Sequence, residues 1–180
     1  EDSMALTKLN YTGQGTIPIA SIPTITSDKL ASGVFKRQYS AKNTTPVAET
    51  AAFKTLVSIP NVVVNSGDVV FLSTHISNVR PTAGSMHMSL AVSYTGSSSG
   101  FVGASNWGLG ITDLHDNNTV WRLTSQFLNL SEFYTSPFNA VGTFTFNVQA
   151  KSNGTNGYYG SETGGTVQTY VPNQATIFIA

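Results

Sequence analysis

Three histidines, nine acidic side chains and no cysteine bound the chemistry open to this chain. Without cysteine there are no disulfides, no thiolate metal sites and no thiol nucleophile. His75, His87 and His115 are scattered, and none forms the His-x-x-x-His or Glu-x-x-His spacing that sets ligands on one helix face. His87 falls on the polar side of a strongly alternating run, where an exposed or interface histidine is expected. Asp113-Leu114-His115-Asp116-Asn117-Asn118 offers oxygen ligands but lacks the spaced acids, the glycine and the closing glutamate of a calcium loop. A turn held by Asx hydrogen bonds accounts for it better. A glycosidase would need two carboxylates facing each other across a cleft. After Asp68 the only acids are Asp113, Asp116, Glu132 and Glu162, three of them in loop-like sequence. No serine lies in a nucleophile elbow, and no glycine-rich loop opens a helix to cradle phosphate. The residues therefore predict a protein that is not an enzyme, with no cofactor and no metal.

Recognition chemistry is concentrated in one loop, Ser152 to Gly165, where Tyr158 and Tyr159 stand among glycine, serine and asparagine. Flat amphipathic rings give contact area, and small polar neighbours such as Asn156, with Glu162, give adaptable hydrogen bonds. The loop is expected to be exposed, with both tyrosines, Asn156 and Glu162 contacting a surface glycan. The competing reading is that the two rings pin a long loop to its own subunit or to a neighbour. Gly96 to Ser105 and Asp113 to Asn118 are the other loops where recognition could lie.

The elements that position these loops read as β almost throughout. In Gly142 to Lys151, Phe144, Phe146, Val148 and Ala150 alternate with Thr143, Thr145, Asn147 and Gln149, a half-buried strand. Met86, Met88, Leu90, Val92 and Tyr94 are expected inward, with His87, Ser89, Ala91 and Ser93 outward. Phe53, Thr55, Val57 and Ile59 alternate with Lys54, Leu56 and Ser58, Pro60-Asn61 interrupts, and Val62 to Val64 resumes. Asn65-Ser66-Gly67-Asp68 is a turn by composition. Val69 to Ile76 is apolar on both faces and predicts a central strand. Asn106 to Ile111 and Thr119 to Phe127 alternate again. Evenly spaced strands with no long amphipathic helix predict an antiparallel sandwich.

Before these strands the sequence changes character. Glu1-Asp2-Ser3 ahead of Met4 reads as a cloning remnant. Ile17-Pro18 and Ile22-Pro23 repeat one pair in an extended segment that cannot be central strand. Ser27 to Gly33 has the N-cap, the acidic first turn and the terminal glycine of a short helix. Residues 4–33 are thus expected to be an arm, with Ile17, Ile19, Ile22 and Ile25 docking on another protein, and residues 34–180 a β domain. Of 180 residues, 40% are hydrophobic but only 10% charged, against about 25% in ordinary soluble proteins. The surface must be built from Ser, Thr, Asn, Gln and Gly, which repel like copies weakly and suit a homo-oligomer. Nine basic residues balance nine acidic ones, so nucleic acid is not an expected partner. No run reaches the roughly 20 apolar residues of a membrane-spanning helix, and no membrane insertion is expected.

The chain closes on Thr166 to Val171, a turn at Pro172-Asn173-Gln174, and Ala175-Thr176-Ile177-Phe178-Ile179-Ala180. The last run opposes Ile177 and Ile179 with Phe178 rather than with a polar residue, so both its faces need cover. Ile177, Phe178 and Ile179 are therefore expected at a subunit contact. This ending resembles the C-terminal part of the C1q/TNF-like trimeric jelly roll found at the tips of tailed-phage fibres. The resemblance covers about the last quarter of the chain and, more loosely, the middle. It implies an all-β antiparallel sandwich of jelly-roll type with an extended N-terminal arm. It further implies a homotrimeric virion protein, assembled in the bacterial host cytoplasm, attached to other virion proteins by the arm and contacting the host surface. Two alternatives share those features: a capsid decoration or cement protein, and a cellular glycan-binding module or adhesin.

Overall fold

The computed structural model describes residues 35–80, 86–103, 110–114, 120–132, 136–152, 157–160 and 172–180. The expected arm over residues 4–33, with Ile17, Ile19, Ile22 and Ile25, lies outside them, as do Asn106 to Leu109 and Thr166 to Val171. Within them the chain is an antiparallel β-sandwich of eleven strands. These are β1 Arg37–Asn43, β2 Val47–Ala48, β3 Lys54–Val64, β4 Val70–Arg80, β5 Met86–Gly96 and β6 Gly100–Val102. They continue with β7 Gly110–Leu114, β8 Val120–Asn129, β9 Gly142–Ser152, β10 Tyr158–Tyr159 and β11 Asn173–Ile179, with one 3-10 turn at Leu130–Glu132.

In the first sheet β4 is central. β8 pairs along one side of it, from Phe71 to Arg80, while β11 and then β10 share the other side. β1 lies outside β11, and β2 outside β10. In the second sheet β9 runs between β3 and β5, and the far side of β5 pairs with β7 and β6. Four pairings are nested, β1 with β11, β3 with β9, β4 with β8 and β5 with β7, while β4 with β11 and β5 with β9 join them into the two sheets.

The period-two pattern explains why these segments face each other. β9 buries Phe144, Phe146, Val148 and Ala150, and β11 buries Ala175, Ile177 and Ile179. β4 contributes Val70, Leu72 and Ile76, and is central as its two apolar faces predicted. Full burial of such side chains is worth about 1.5–3 kcal/mol each before entropy is subtracted. Phe138 adds a core ring from a non-strand segment. Its centroid lies 4.9 Å from Tyr94, 5.1 Å from Phe144 and 4.9 Å from Phe146, all edge-on, the arrangement that ring quadrupoles favour.

Four expectations need correction. β3 is one continuous strand, and the pairing slips between Thr55 and Val57 and again between Ile59 and Val62. The first slip buries Leu56 beside Val57 and leaves Thr55 exposed, and the second places Pro60 and Asn61, at φ 58°, in a bulge. In β5, Ser89 and Ala91 are buried and not outward. They stand opposite Lys151 and Gln149 of β9, whose longer half-buried side chains screen small neighbours on a central strand. β11 begins at Asn173, which is fully buried and accepts from the Ser77 amide (3.3 Å), so the expected turn there is already strand.

One side of the sandwich is closed by side chains. Asn43 of β1 donates to the Leu56 carbonyl of β3 (2.8 Å), and the Val63 amide donates to the Tyr39 hydroxyl (3.3 Å). At the turn between β3 and β4 the Asp68 carboxylate binds the Arg37 guanidinium, accepts from the Asn65 amide (2.8 Å) and lies 3.8 Å from the Lys36 ammonium. That turn, predicted over Asn65 to Asp68, thereby locks the start of β1 to the rest of the domain.

Candidate functional site

The strand pairing decides which side chains share the outer face of the first sheet. Phe178 lies opposite Phe71 across β11 and β4, and Phe127 of β8, opposite Ser73, lies two register positions from Phe71 and so on the same face. Phe71 and Phe178 alternate with core residues, so the pleat that buries Ile177 and Leu72 turns them outward. Phe35, two residues before β1, lays its ring over both, with centroids 4.8 Å from Phe178 and 5.6 Å from Phe71. Phe127 stacks on Phe71 at 5.7 Å and 16°, and lies 6.2 Å from Phe178. Phe35 and Phe127 remain 45% and 57% exposed. Four rings, each touching two of the others on an outer sheet face, form a contiguous apolar patch, the kind of feature that marks an interaction surface.

Along the same face the rings give way to small polar groups. Ser40 and Thr176 share a hydrogen bond of 3.0 Å, and His75 Nδ1 lies 2.8 Å from the Ser125 hydroxyl. Among the described side chains that the strands place on this face, Lys42 is the one formal charge, and Lys36 and Arg37 beside Phe35 are turned to Asp68. Hydroxyls both donate and accept, so the face as a whole is near neutral and self-compatible. Among the described residues no group of three or more His, Asp or Glu converges on a metal-sized site.

The residues expected at a subunit contact divide accordingly. Phe178 is on the outer face, whereas Ile177 and Ile179 are fully buried within the single chain and cannot meet a neighbour. A strand with two apolar faces spends one of them on its own core.

The tyrosine pair also needs correction. Tyr159 is fully buried, Tyr158 is half-buried, and Gly157 and Gly160 beside them are buried too. The reason is β10, which inserts between β2 and β4 and so turns one tyrosine inward and the other outward. Its surroundings are a polar lock: the Gly160 amide donates to the Ser77 carbonyl (3.0 Å), the Ser77 hydroxyl donates back to the Gly160 carbonyl (3.1 Å), and the Glu49 amide donates to the Gly157 carbonyl (2.9 Å). Tyr159 is thus a core residue and offers no face to a sugar. Asn156 and Glu162 lie outside the described residues, as does His115, and of His87 only its place in β5 is described.

Sequence reasoning missed Phe35, Phe71 and Phe127 as partners of Phe178. The available signal was a phenylalanine at a position alternating with core residues. What joins four of them is cross-strand register, which no local pattern carries. Comparison with protein-family models finds no match for this chain, and comparison with curated proteins finds no relative.

Proposed function

We propose that this chain is a non-enzymatic structural subunit of a virion, of the tailed-phage fibre or receptor-binding kind, which associates as a homotrimer through the outer face of the first sheet. The observation that carries the reading is the half-exposed cluster of Phe35, Phe71, Phe127 and Phe178. Burying such rings against a second copy contributes about 1.5–3 kcal/mol for each ring fully covered, and a near-neutral face of hydroxyls imposes little repulsion between copies. The nested strand pairing supports a jelly-roll winding, in which a long hairpin wraps into two sheets. A surface poor in charge and a chain without cysteine suit a protein assembled in a bacterial cytoplasm and presented in a particle. In this reading the N-terminal arm joins the domain to other virion proteins, and loops at the ends of the sandwich face the host.

Two measurements test it. Sedimentation equilibrium of the purified chain at micromolar concentration should give three times the monomer mass, and a monomer would reject the oligomer. Mass spectrometry of purified virions from a lysate encoding this chain should find it in stoichiometric amount. Its absence from particles would reject the virion role and leave a cellular adhesin, whereas a copy number matching the shell would move it from the fibre to the capsid surface.

A further inference from the structure

At one end of the sandwich, apart from the aromatic face, a cavity of about 220 Å³ opens between three segments: the β3–β4 turn, the 3-10 turn after β8, and the approach to β9. Each wall is fixed. Asp68 donates its amide to the Asn65 carbonyl (3.2 Å) and takes the Asn65 amide on its carboxylate (2.8 Å). The Ser131 hydroxyl accepts from the Val70 amide (2.9 Å), and the Phe138 amide donates to the Leu130 carbonyl (2.8 Å), seating a ring that is 1% exposed as the floor. Binding there would need little ordering of the protein, which favours affinity for small ligands.

The lining is of two kinds. Asn65, Ser66, Ser131 and Asn139 supply amides and hydroxyls, and Asp68 adds a carboxylate, while Ala140 and Val141 supply aliphatic surface and Val64, 3% exposed, only backs the wall. Ser131 uses its oxygen on Val70, so its proton is available to donate onward. Asp68 has Arg37 on Oδ2, and Lys36 lies 3.8 Å from Oδ1, leaving Oδ1 lone pairs to accept a ligand hydroxyl. Those two cations lie outside the lining and offset the Asp68 charge, so what the described lining offers a ligand is hydrogen-bond acceptors and donors. An uncharged, hydroxyl-rich ligand suits that balance. Hydrogen-bonding groups together with C–H surface match a ring whose edge carries vicinal hydroxyls and whose face is apolar. The volume falls below the roughly 300–1,000 Å³ of sites for drug-sized molecules, which limits the ligand to one small ring.

We propose that this cavity binds one neutral pyranose unit of a glycan, with Asp68, Asn65 and Asn139 taking its hydroxyls and Ala140 and Val141 its apolar face. The site does not depend on the oligomer reading, since none of its residues belongs to the aromatic face. The test uses the full chain in its native association state, probed by saturation-transfer NMR with methyl glucoside, methyl galactoside, N-acetylglucosamine and glucuronate. At least one neutral sugar should bind with a millimolar dissociation constant. Asn65→Ala and Asn139→Ala should weaken it about tenfold, and Asn139→Trp, which fills the opening, should abolish transfer. All three alter exposed side chains and should leave the melting temperature within a few degrees, while Tyr158→Ala should leave binding unchanged. Absence of transfer to every neutral sugar would overturn the proposal, as would binding that survives Asn139→Trp. Tighter binding of glucuronate than of the neutral sugars would also overturn it, by making the site an anion site.

Discussion

Two adjacent tyrosines illustrate how far a residue's role depends on its strand. Tyr159 is fully buried and Tyr158 half-buried, so the two should respond to truncation very differently. Tyr159→Ala should cost about 3–5 kcal/mol, as large aromatic-to-alanine changes in cores do, whereas Tyr158→Ala should cost well under half of that. Urea denaturation of the two variants checks this, and equal losses would mean that the β10 register differs from that described. Asp68 is the other residue on which much converges. Its side chain is 6% exposed and serves Arg37, Lys36 and the Asn65 amide together. Asp68→Ala should cost about 1.5–3 kcal/mol, the usual range for hydrogen bonds to a charged group. Arg37 is 27% exposed, so water takes over part of its partnership and the loss belongs at the lower end of that range.

The strands show which kinds of information a sequence carries locally. β9 and the inward side of β5 were legible because an uninterrupted period of two states its own burial pattern, and β4 because apolar residues on both faces mark a central strand. β3 was less so, since two slips in pairing shift its inward set by a residue each time, and a slip is a property of the pair, not of one strand. Phe138 was not legible as core, because it lies outside any periodic run. β10, two residues long, carries no period at all, and so the tyrosine pair read as an exposed binding loop. The junction between β5 and β9 gives an element-scale prediction. Gly96, at φ 137°, closes β5 so near β9 that an added Cβ would run into the Thr143 carbonyl oxygen, and Gly142, at φ 139°, faces the Ser97 hydroxyl in the same way. Gly96→Ala should destabilise by more than about 1 kcal/mol, since both the backbone angle and the space refuse a side chain. Gly67, at φ 84° with open space around it, should lose less on the same change, from the angle alone. Equal effects in thermal unfolding would mean that the approach of β5 to β9 is looser than described.

At the scale of the whole molecule the question is what keeps copies together, and the outer face of the first sheet lets apolar and electrostatic attraction be told apart. Phe127 is 57% exposed in the single chain, so Phe127→Asp removes little from the subunit's own core while placing a charge in the proposed contact. It should yield a folded monomer by sedimentation equilibrium, with a far-ultraviolet spectrum like that of the parent. Phe178→Asp should do the same at a greater cost in stability, because Phe178 is half-buried and touches both Phe35 and Phe127. Salt then distinguishes the forces. Interactions between exposed charges weaken as the Debye length falls from about 10 Å at 0.1 M to about 3 Å at 1 M, whereas apolar burial does not. With Lys42 the one formal charge among the described side chains that the strands place on the face, and Lys36 and Arg37 paired with Asp68, the dissociation constant of the wild-type assembly should change less than about threefold across that range. A fall in affinity of tenfold or more with added salt would show that charged loops and not the phenylalanine face hold the subunits, and Phe127→Asp would then leave the assembly intact.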